Sequence, residues 1–150
     1  MISIRRAVIV LCFFSYITFL FYLLFFSAYR SSVQGLIDYN LIPFKSIFAY
    51  ISNFELFRVS MVTDNFFGNI AAFLPFGFLL PLLWRNISFT KIALYSFSFS
   101  LLIEISQFVF RVGAFDVDDM ILNTVGGGFG YLMIALILTV IKRRKRNEHN

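Results

Sequence analysis

Residues 92–110, IALYSFSFSLLIEISQFVF, and residues 120–141, MILNTVGGGFGYLMIALILTVI, are two apolar runs joined by RVGAFDVDD and followed at once by KRRKR. Each run has the about 20 residues that a helix needs to cross the hydrocarbon core of a bilayer. The first holds one charged residue, Glu104, and the second holds none. A basic run directly after an apolar stretch is the usual cytoplasmic flank of a membrane helix. Upstream, residues 7–26 and 66–84 qualify in the same way. The expected fold is all-α: an integral membrane bundle of four transmembrane helices in a single domain over residues 1–150. The spans are 7–26, 66–84, 92–110 and 120–141, with a basic cytoplasmic tail at 142–150.

Composition agrees. Apolar residues are 59% of the 150 and charged residues 14%, with 22 Phe, and mean hydropathy is +0.82. Soluble domains run at about 45–50% apolar and about 25% charged, so a soluble enzyme, a disordered chain and a disulfide scaffold are excluded. The lone Cys12 lies in an apolar run and reads as filler. The net charge of +5 does not point to nucleic acid, because five of its cations are the run at 142–146. A signal peptide is not expected at 7–26, since its apolar core exceeds the roughly 7–15 residues of such peptides.

Lys/Arg bias sets the expected orientation. Arg5 and Arg6, the joint with Arg85 and Lys91, and the basic tail face the cytoplasm. The loop with Arg30, Lys45 and Arg58 against Asp38, Glu55 and Asp64 faces outward, as does Arg111 with Asp116, Asp118 and Asp119. The expected location is the bacterial plasma (inner) membrane, with both termini cytoplasmic. In the first outer segment, Phe44, Ile47, Phe48, Ile51 and Phe54 recur at helical spacing. This predicts an amphipathic helix on the outer membrane face or packed over the bundle, with Pro43 in its first turn.

Polar groups in hydrocarbon are costly, so their positions are informative. Asn65 and Asn69 share a face of the second span. Pro75 and Pro81 predict a kink there, and Pro75 deprives the Ala71 carbonyl of its donor. Glu104, Gln107 and Arg111 share a face of the third span, with Glu104 about 9 Å below its end at 1.5 Å per residue. Gln107 is placed to bridge the two charges. Asp116 or Asp118 can cap the fourth span. Asp119, Asn123, Gly126, Gly127 and Gly130 then fall on one face, and Gly126 and Gly130 form a small-xxx-small pair for helix packing. With the orientation above, Asn65, Asn69, Glu104, Gln107, Arg111, Asp116, Asp119 and Asn123 all reach the outer leaflet. They are the candidate ligand-binding pocket.

The only His, His149, is in the tail, so a His-based metal site or catalytic triad is not expected, and no metal or other cofactor is. Glu104 and Asp119 are the candidates for acid–base work. Arg111 suits a phosphate or carboxylate.

These residues resemble the VanZ-like membrane proteins. The similar stretches are Asn40-Leu-Ile-Pro43-Phe44, Asn69-Ile-Ala-Ala-Phe73-Leu-Pro75-Phe76-Gly77, and the ordered set Glu104, Gln107, Arg111, Asp116, Asp119, Asn123, Gly126 and Gly130. The resemblance implies a small bacterial inner-membrane protein of several helices. It also implies a link to low-level resistance to the glycopeptide teicoplanin, with which the founding member is associated. Gly127 and Gly128 make the fourth helix richer in glycine than the family pattern.

Four functions stay open. The favoured one is a non-enzymatic envelope protein that binds a lipid-linked envelope ligand or lipoglycopeptide. The second is a membrane enzyme acting on a lipid head group or cell-envelope precursor. A transporter or channel, and a structural subunit with a protein partner or in a homo-oligomer, follow. Membrane lipids are expected partners and nucleic acid is not.

Overall fold

Side chains satisfy free N–H groups at the starts of three of the described helices. The computed structural model describes residues 4–26, 38–52, 59–84 and 86–148, the side chains of 50 and 59–65 excepted. The elements are α1 (Ile4–Phe26), β1 (Tyr39–Asn40), α2 (Lys45–Ser52), α3 (Val59–Leu83), α4 (Phe89–Phe110), β2 (Phe115–Asp116) and α5 (Val117–Asn147). Four of the helices carry stretches long and apolar enough to cross a membrane: Ile4–Phe26, Phe66–Leu83, Phe89–Phe110 and Val117–Asn147. The helical bundle read from the sequence is therefore the fold.

The boundaries shift for local reasons. Ser88 caps α4 by accepting from Lys91 N at 3.3 Å, which starts the helix three residues before the apolar run. Asp116 caps α5 by accepting from Asp118 N at 2.8 Å. At the other end α5 continues through the basic run to Asn147, with Arg144, Lys145 and Arg146 in its last turn, where cations oppose the helix dipole favourably. Pro43 lies outside α2 rather than in its first turn. The helix begins at Lys45, and Phe44 between them has φ 67°, so the chain turns sharply there instead of continuing as a helix. The expected members Asn53, Phe54 and Glu55 lie outside the described residues.

Lipid tails are as apolar as Leu, so close packing and polar contacts hold membrane helices together. α5 is central, with its most extensive contact to α3 and the next to α4, while α1 packs mainly on α3. The α3–α5 contact is backbone on backbone. A Cβ built at Gly77 would fall on the Gly127 carbonyl, one at Gly126 on the Ile70 carbonyl, and one at Gly130 on the Leu74 carbonyl. The extra glycine at 127 also faces Ser96 of α4, so it serves both neighbours of α5. Beside this seam Phe73, Phe76, Ile92 and Ile103 form a buried core with Leu20 and Leu80. Phe76 stacks on Phe99 with centroids 5.3 Å apart. Tyr16 of α1 donates to the Ala72 carbonyl at 2.7 Å, one residue along from the carbonyl that Pro75 leaves without its usual donor.

Candidate functional site

The end of the bundle where α4 stops and α5 starts gathers most of the buried polar groups. Arg111 ends α4 in the left-handed conformation (φ 56°, ψ 40°). The 3.0 Å bond from Val112 N to the Gln107 carbonyl and the 3.2 Å bond from Arg111 N to the Phe108 carbonyl close the helix, in the manner of a Schellman turn. The chain then doubles back into β2, which pairs in parallel with β1: Tyr39 opposite Phe115, Asn40 opposite Asp116. The connection between α1 and α3 is thereby tied to the one between α4 and α5.

Asp116 is the junction. Its N–H donates to Glu104 Oε2 at 3.0 Å. Its carboxylate accepts from Asn40 Nδ2 at 2.9 Å, Ser46 Oγ at 2.7 Å and its own helix at Asp118 N. Glu104 is only 2% exposed, so an acid of α4 holds the turn that launches α5.

Asp118 has another task. It is fully buried and accepts from the backbone N–H groups of Phe44 (2.5 Å), Ser46 (2.6 Å) and Ile47 (3.2 Å). These are free donors at the start of α2. The positive φ of Phe44 turns its N–H alongside the others, forming an anion-binding nest. Asp118 is thus a cap supplied from α5 to α2.

The remaining groups sit deeper. Asn69 Nδ2 of α3 donates to Asp119 Oδ1 at 2.6 Å. Asn123 Nδ2 of α5 donates to Ser100 Oγ of α4 at 2.7 Å. Gln107 Nε2 donates to the Leu24 carbonyl of α1 at 2.9 Å. Its amide nitrogen therefore reaches across the bundle instead of bridging Glu104 to Arg111. Ser96 Oγ and Asn123 Oδ1 are buried without a hydrogen-bond partner among the described residues.

Of the candidate pocket, the structure joins Glu104 to Asp116 and Asn69 to Asp119, and it buries Gln107 and Asn123 on other partners. The Arg111 side chain is exposed at the same rim. The Asn65 side chain lies outside the described residues, while its backbone belongs to α3. Glu104 and Asn123 are buried and Asn69 is half-buried, and their described hydrogen bonds go to different partners. Sequence reasoning missed Ser96, Ser100, Ser46 and the full role of Asp118. The serines had a signal: positions 96, 100, 104 and 107 continue one helical face, and all four are buried.

Below this rim α1 is flanked by two apolar grooves. One, against α4, is lined by Leu20, Phe21, Leu24, Phe99, Leu102 and Ile103 among others. The second, against α3, includes Leu23, Ala71 and Pro75. Leu24 lines the first groove, and its carbonyl takes the Gln107 amide. That groove therefore ends next to the polar cluster. Among the described residues no group of three or more His, Cys, Asp and Glu could hold a metal ion.

A family profile described as VanZ/LLP1 matches residues 13–138 of this chain. Protein VanZ of Enterococcus faecium is 35% identical over 103 residues, which cover 67% of this chain and 62% of that protein. The chain thus spans less than two thirds of the length of this curated relative. No solved structure matches.

Proposed function

We propose, for a chain that belongs to the VanZ-like family, that it binds an envelope amphiphile, either a lipid-linked precursor or a lipoglycopeptide, and so contributes to glycopeptide tolerance. The reading places both termini in the cytoplasm and the α4–α5 rim at the outer leaflet of the bacterial plasma membrane. One observation carries it: an apolar groove between α1 and α4 that ends beside the buried Gln107, four residues before the exposed Arg111. A ligand with an acyl chain and an anionic or carboxylate-bearing head matches that division. The chain lies in the groove, and the guanidinium takes the head in bidentate fashion.

The test is teicoplanin susceptibility of a sensitive host expressing the full chain. Arg111→Ala removes the head contact, and Leu102→Trp fills the groove from its lipid side. Both are expected to abolish any tolerance that the wild type confers while membrane levels stay equal. Unchanged tolerance in both variants overturns the reading. The enzymatic alternative ranks second, because Glu104 and Asp119 already hold hydrogen bonds that build the turn and the α3–α5 contact.

A further inference from the structure

α2 is oriented the wrong way round for a helix in water. Phe44, just ahead of it, and Phe48 and Ile51 within it stand at i, i+4 and i+7 on one face. They are 49%, 64% and 61% exposed. Leu41 and Ile42, immediately before, are exposed as well. The side turned to the bundle carries Ser46 and Ile47, both half-buried. Ser46 bonds Asp116, and the helix's free N–H groups bond Asp118. Helices of soluble domains bury the apolar stripe; here Phe44, Phe48 and Ile51 of that stripe are exposed and only Ile47 is half-buried.

The height of α2 identifies what meets the apolar face. Its clasp, Asp116 and Asp118, opens α5, and Asp116 is held by Glu104 near the end of α4. α4 has 22 residues and so measures about 33 Å, against a hydrocarbon core of about 30 Å. Its end therefore lies at the boundary between acyl chains and head groups, and α2 lies at that level. Eight residues are too few to cross. Lys45, exposed beside the stripe, has the reach to place its ammonium among lipid phosphates.

We infer that the Phe44–Phe48–Ile51 face is a lipid-interface anchor that seats the first outer segment in the head-group boundary of the bilayer, with Lys45 on the anionic head groups. The inference concerns a different surface from the proposed ligand groove and stands whether or not that ligand exists.

Site-directed spin labelling of the full chain tests it. Cys12 is the only cysteine, so Cys12→Ser gives a clean background for Phe48→Cys and Ile51→Cys, with Leu102→Cys as the acyl-facing reference and Lys145→Cys as the aqueous one. In vesicles of phosphatidylethanolamine and phosphatidylglycerol, labels at 48 and 51 are expected to collide several-fold more often with oxygen than with a water-soluble nickel chelate. Their depth should fall between the two references. Nickel collisions as frequent as at 145 would show a water-facing helix and overturn the anchor. Protection from both reagents would show a protein partner or second copy on this face, and would overturn it equally.

Discussion

Asp118 stands in the first turn of α5 yet caps α2, whose first residue lies more than seventy positions earlier. Hydrogen bonds to a charged group contribute about 1.5–3 kcal/mol each, and a buried donor left without a partner costs about 1–3 kcal/mol. Asp118→Ala is therefore expected to lower the unfolding free energy of the detergent-solubilised protein by at least about 1.5–3 kcal/mol. Asp118→Asn, which keeps an acceptor oxygen, should lose less. Thermal or denaturant unfolding of the variants measures both, and an Ala variant as stable as the wild type would contradict the nest. Ser100→Ala takes the acceptor from the buried Asn123 amide and should cost about 1–3 kcal/mol by the same argument. Residue-level reading of the sequence reached the polar positions but not all their partners. Asp116 and Asp118 were equal capping candidates, because a local pattern shows which residues can cap a helix. The α2 donors are distant in sequence, and no periodicity connects them to residue 118. The serines of α4 could have been read by extending Glu104 backwards in steps of four.

At the scale of elements, the α3–α5 seam makes a graded prediction. At Gly77 the obstruction is the Gly127 backbone, which has no rotamer to change, whereas Gly68 has nothing within 4 Å. Overpacking costs about 1–3 kcal/mol, while Ala in a helix is favoured over Gly by about 1 kcal/mol. Gly77→Ala should therefore lower the melting temperature and Gly68→Ala should leave it equal or higher. If the two variants melt alike, the backbone contact is not as described. The existence of the helices was plain from hydrophobic run length. Their ends were less plain, because Ser88 and Asp116 extend helices beyond the apolar residues and the basic run continues α5. The two-residue strands had no readable signal, since a single ladder step needs no alternating pattern.

For the whole molecule, the proposed topology predicts the behaviour of fusions. A fluorescent protein after residue 150 should fluoresce, and alkaline phosphatase inserted at Gly113 should be active, because the first folds in the cytoplasm and the second outside it. The reverse pair of results would invert the bundle and place the polar rim on the cytoplasmic side. Run length made the four-span architecture legible. The sequence alone could not show which partner each polar side chain would take, since that depends on which faces of α3, α4 and α5 the glycines allow to meet.

The clasp on α2 also has a consequence for how the chain is made. Phe44 leaves the ribosome 74 residues before Asp118, when neither β2 nor the start of α5 exists. Until the last hairpin has entered the bilayer, the amino end of α2 has no carboxylate to close on. The start of α2 therefore reaches its final shape only after α5 has begun. A nascent chain stalled with Asp118 still unsynthesised should leave residues 44–52 open to protease, and release of the full-length chain should protect them.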